Sequence, residues 1–198
     1  MAFTHYQKFV VGLLSFLQFT VVLDFMIMSP LGAIMMPALK MGTSQFGVVV
    51  SAYAFSAGIS GLLAAGFADR YDRKKLLLFF YAGFIIGTFL CGLATNYYFL
   101  LAARMVTGLF GGVISSVVMA ITADLFALEV RGRVIGYIQT AFAASQVLGI
   151  PIGLYISGIW GWHMPFMLIV MVGLLAGIAI IIYLKPVREH LIHKSERN

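Results

Sequence analysis

Charge is what this chain has least of. Only 10% of its 198 residues are Asp, Glu, Lys or Arg, against 62% hydrophobic, and mean hydropathy is +1.01. Soluble domains carry roughly 25% charged residues, so water is not the main solvent of this protein. Cysteine is almost missing too. Cys91 is the single one and lies in an apolar run, so no internal disulfide can form and no redox role is implied. No Cys/His cluster offers metal ligands and no phosphate-cradling glycine loop occurs, so neither metal nor cofactor is expected. The first apolar run is far longer than the core of a secretion signal and lacks a small-residue cleavage site, so no cleaved leader is expected.

What the chain does have is long apolar runs. A transmembrane helix needs about 20 mostly apolar residues, and six such runs can be read, near 8–36, 45–67, 75–95, 98–126, 133–160 and 164–184. Connections between them are short. The expectation is an all-α membrane protein: a six-helix bundle over residues 1–184, then a polar tail over 185–198. The first, fourth and fifth runs exceed a minimal span, which predicts tilt or protrusion into water.

The scarce charges are placed unevenly. Lys8, Arg70, Arg73, Lys74, Lys75, Arg131, Arg133, Lys185, Arg188, Lys194 and Arg197 fall on one side of such a bundle, and Lys40 alone on the other. By the positive-inside rule both termini are expected in the cytoplasm, with the chain in the cell's inner membrane. The net charge of +6 is then topology, helped by anionic lipid, and nucleic acid is not an expected partner.

Two charges lie deep in apolar runs, Asp24 and Arg104. Each costs about 2.5–3.5 kcal/mol at a helix centre even on a mild scale. At 1.5 Å per residue, Asp24 sits roughly 24 Å up an outward-running first span and Arg104 roughly 9 Å down an inward-running fourth. They share the outer half of the membrane, where they pair or share a water-filled cavity. A carboxylate in that setting is a candidate protonation site, since desolvation favours its neutral form and a nearby arginine its ionised form. Polar residues at helical spacing on spans two, four and five extend the candidate cavity: Tyr53, Ser56 and Ser60, then Thr107 and Ser115, then Gln139 and Gln146. Spans three and six are almost free of polar side chains and are expected to face lipid. The alternative for the hydroxyls is plain interhelical bridging, and for the clustered glycines close helix packing.

Residues 65–75 hold six charges between two apolar runs, a very short loop at a membrane face. Ala68, Asp69, Arg70, Arg73 and Lys74 resemble the loop G-x-x-A/S-D-R-x-G-R-K/R of the major facilitator superfamily, with Ala65 and Asp72 at its two glycine positions. Arg104, Gly108 and Gly112 resemble that family's R-x-x-x-G pattern. The run Asp124 to Arg133 is similar to its second cytoplasmic loop, with Ala127 for the usual proline. Gly149, Pro151 and Gly153 resemble the glycine–proline motif of its antiporter branches, and Asp24 stands where many drug and sugar exporters carry an acid. The resemblance is to the N-terminal six-helix half, nearest the drug and sugar (arabinose-type) efflux branch.

That resemblance implies proton-coupled efflux of a small organic solute by alternating access. Asp69, Arg70, Arg73 and Asp124 would form a cytoplasmic latch; Arg70 or Arg73 can also reach Asp124 on purely physical grounds. Lys74 and Lys75 are read as topology. The family's fold has twelve helices, so a second six-helix half, from the same gene or a second copy, is an expected partner beside lipid, substrate and protons. Two other readings stand. One is a non-transporting or channel-like subunit. The other, remote, is an intramembrane serine protease at Gly58-Ile-Ser60-Gly61, which lacks a histidine near enough to Ser60 to act as base.

Overall fold

The computed structural model describes residues 3–67 and 71–186, and among them every regular element is a helix. These are α1 (His5–Ala38), α2 (Thr43–Phe67), α3 (Arg73–Gly92), α4 (Tyr97–Leu125), α5 (Leu128–Ala144), α6 (Ile150–Trp160) and α7 (Met164–Tyr183). A π-helical turn, Ser145–Gly149, joins α5 to α6, so these two form one span. Six spans are therefore long and apolar enough to cross a membrane. At 34 residues, α1 is about 51 Å long, well over the ~30 Å hydrocarbon core.

Local chemistry sets the ends. Thr4 and Gln7 form a reciprocal cap: the Gln7 N–H donates to the Thr4 hydroxyl at 3.2 Å, and the Thr4 N–H to the Gln7 side chain at 3.0 Å. This starts α1 ahead of the apolar run. Asn96 caps α4 by accepting from the Phe99 N–H at 3.0 Å. In the fifth span, Pro151 has no N–H to give and its ring crowds the carbonyl four residues back. The ladder widens just before it, and the Ile150 N–H reaches back five residues to the Ser145 carbonyl.

α4 is the hub, packing on both α2 and α3, while α1 packs on the fifth span and α7, and α3 meets α7. Gly108 and Gly112 let α4 touch α2: a Cβ at either would collide with the backbone carbonyl of Tyr53 or Ala57. The apolar core divides into two clusters. One joins Leu14, Leu17, Leu77, Phe84, Ile114 and Ile180 near the end where the chain starts; the other joins Ile27, Leu31, Cys91, Leu100 and Phe166 near the opposite end. A layer of buried polar side chains lies between them.

The lipid-facing position expected of span three applies to one face of α3. Its most apolar window is 56% buried, against 22% for α2 and for the fifth span. α3 is wedged between α4 and α7, and only one of its faces is left open.

Candidate functional site

The polar layer is centred on Asp24, which α1 places with Leu23 and Ile27 packed beside it. Both Asp24 and Arg104 are completely buried, and Arg104 Nη1 donates to Asp24 Oδ2 at 2.6 Å. The same nitrogen lies 3.5 Å from the Asp24 carbonyl. The other carboxylate oxygen, Oδ1, accepts from the Thr88 hydroxyl on α3 at 3.1 Å. On the far side of the guanidinium, the ring of Tyr53 on α2 lies 4.5 Å from its central carbon, a cation–π contact. Two helices thus bring a polar group each onto the acid carried by α1, and a third sets Tyr53 against the arginine.

The cluster is incompletely satisfied. Arg104 Nε and Nη2 are buried and have no hydrogen-bond partner among the described residues. Such orphaned donors cost about 1–3 kcal/mol each. Nearby, Thr107 donates to the Ala103 carbonyl at 2.7 Å and lies 3.6 Å from the Cys91 thiol. One turn before Asp24, Thr20 hydrogen-bonds Tyr81 of α3 at 3.1 Å.

Of the residues singled out from sequence, Asp24, Arg104 and Tyr53 converge. Gln139 and Gln146 do not join them: both lie exposed on the fifth span. Ser56 and Ser60 are buried among helix contacts, with Ser56 against Gly108 and the Ser60 hydroxyl given to the Ala57 carbonyl. His163 is engaged at the other end of the bundle, where Nδ1 donates to the Gly92 carbonyl at 2.7 Å. Ser60 and His163 are not brought together. Gly149 and Gly153 are buried where a Cβ would strike Leu23 and Ile27, the neighbours of Asp24, whereas Pro151 is exposed.

Thr88 escaped the sequence reading, which took span three as almost without polar side chains. A signal was present. Tyr81, Thr88 and Cys91 are spaced by seven and three, which puts them on one face of α3.

A second ion pair sits at the end of the bundle. Arg73 Nε donates to Asp124 Oδ2 at 3.2 Å, joining the start of α3 to the end of α4. Asp69 and Arg70 lie outside the described residues. Asp72, which departs from the glycine of the loop pattern, is the N-cap of α3, its carboxylate accepting from the Lys74 N–H at 2.9 Å. Lys74 Nζ donates to the Ile181 carbonyl at 2.8 Å, so it ties α3 to the last turn of α7 as well as adding charge. Arg131 covers two carbonyls at the end of α4, Ala123 at 2.7 Å and Phe126 at 3.2 Å.

Six membrane-capable helices closed around a buried ion pair define a multi-pass membrane protein. The family model of the major facilitator superfamily matches residues 14–198. The chain belongs to that superfamily, whose members are carriers rather than enzymes. It is 37% identical over 125 residues to the vacuolar membrane amino acid uptake transporter fnx2 of Schizosaccharomyces pombe, covering 63% of this chain and 22% of that protein. It is 37% identical over 123 residues to multidrug resistance protein 3 of Bacillus subtilis, covering 62% and 24%. Its fold superposes on the inward-open xylose transporter XylE from E. coli with a TM-score of 0.81 at 16% identity, covering 94% of this chain and 50% of that one. The chain thus spans about a quarter of these curated relatives and half of the solved transporter.

Proposed function

We propose that this chain is the N-terminal half of a proton-coupled exporter of small organic solutes, with Asp24 carrying the proton. The single observation behind this reading is the fully buried Asp24–Arg104 pair. A buried pair is weak as a source of stability, because desolvation offsets its Coulomb attraction. Its retention inside a bundle is therefore better explained by use.

The geometry supports a cycle of two states. In one state Arg104 lies against Asp24. In the other, α1 and α4 shift, Arg104 turns toward another partner and Asp24 carries the proton. The two unused guanidinium donors leave Arg104 able to take a further acceptor. The π-turn and the glycines seated on Leu23 and Ile27 make the fifth span the element that moves with α1. The Arg73–Asp124 pair would hold α3 to α4 in one of the two states. Efflux is preferred because relatives include proteins named for multidrug resistance and an efflux pump. The basic side supports cytoplasmic termini in an inner membrane, and on this reading a second six-helix half completes the path.

The test is solute movement in sealed vesicles driven by a proton gradient, comparing the protein with Asp24→Asn. The proposal expects gradient-driven transport that the variant loses while reaching the membrane in equal amount. Equal pumping by the variant overturns it.

A further inference from the structure

Outside the polar layer, α3 carries a second feature. Its exposed positions are Lys75, Phe79, Ala82, Ile86 and Phe89, continued by Leu93 at its C-cap, a stripe spaced by three and four residues that marks one helix face. The stripe is apolar along its whole length except for Lys75 at the end. At that end Tyr71, Lys75, Leu76, Phe79 and Phe80 line an open groove of about 360 Å³. Its walls are aromatic and aliphatic, and Phe79 is 63% exposed.

The cations around this groove are not equivalent. Lys74 is committed to the Ile181 carbonyl and Arg73 to Asp124. The Asp72 carboxylate is buried and caps the helix. Lys75 makes no hydrogen bond or ion pair among the described residues. One uncommitted ammonium above an apolar track, at the level where a helix leaves the membrane, matches one ligand chemistry: a phosphate diester with an acyl chain beneath it.

We propose that the groove at the start of α3 is a binding site for an anionic phospholipid. The lipid phosphate sits on Lys75, and one acyl chain lies along Leu76, Phe79 and Phe80 and continues down the exposed stripe. A basic residue at a membrane surface contributes about fivefold in affinity for anionic over neutral lipid. The aromatic groove turns that diffuse attraction into a site by holding the chain. The proposal does not depend on the transport reading.

Native mass spectrometry of the purified full chain, given equal phosphatidylglycerol and phosphatidylcholine, tests it. The expected result is about fivefold more retained phosphatidylglycerol, a preference lost in Lys75→Gln and kept in Lys8→Gln, which removes a charge on the same side. Phe79→Trp supplies a second readout, with fluorescence quenched more by brominated phosphatidylglycerol than by brominated phosphatidylcholine. A wild type without preference, a Lys75→Gln variant that keeps it, or equal loss in Lys8→Gln overturns the proposal.

Discussion

Among the described residues two ion pairs fasten α4 to its neighbours, and they differ in almost every respect that matters. Arg104 meets Asp24 of α1 at 2.6 Å with neither side chain exposed. Asp124 meets Arg73 of α3 at 3.2 Å, with 17% of the Asp124 side chain open. Twenty residues of α4 separate the two, about 30 Å of helix, so one lies within the bundle and the other at its end. The inner pair is surrounded by uncharged groups, Thr88 and Tyr53, and leaves two guanidinium donors unused. The outer one sits among other fastenings: the Asp72 cap, Lys74 on Ile181 and Arg131 on the end of α4. On the function proposed above, the inner pair is the one that exchanges and the outer the one that holds.

This contrast predicts a graded series. The largest effect belongs to Arg104→Leu, which leaves Asp24 buried without its cation and should cost about 3–5 kcal/mol of stability. Removing both charges in Asp24→Leu/Arg104→Leu should restore most of that loss in thermal unfolding while leaving no transport. If the double variant is as unstable as the single one, the inner pair is structural and the contrast breaks. Next comes Arg73→Ala, which removes a charge-assisted bond and should cost about 1.5–3 kcal/mol, with faster amide exchange at the start of α3. Smallest is Asp72→Ala, about 1 kcal/mol for a lost N-cap, with Asp72→Asn close to the parent. A loss in Asp72→Asn as large as that in Asp72→Ala would mean that its charge, not its capping, matters.

Much of this fold is legible in the sequence because the membrane simplifies the code. Six apolar runs of sufficient length give six spans, and a rise of 1.5 Å per residue was enough to bring Asp24 and Arg104 to one depth. The rest depended on which way side chains point. Gln139 and Gln146 share a face by spacing, but periodicity does not say what that face meets, and in this chain it is exposed. Thr88 was hidden by the apolar character of its neighbours, though Tyr81 and Cys91 mark its face. Asp72 looked like a departure from a loop pattern until its carboxylate was seen on the Lys74 N–H. The π-turn follows from Pro151 once the helix is in view, but a proline in a greasy run predicts only a disturbance, not its form.

The central claim is that Asp24 gains and loses a proton inside the bundle. Infrared difference spectra of the purified chain across a pH step read that event directly, through the carbonyl stretch of a neutral carboxylic acid. The account predicts that the carboxylic acid band that grows as pH falls in the parent protein lacks one component in Asp24→Asn. Identical difference spectra for the two proteins would contradict it.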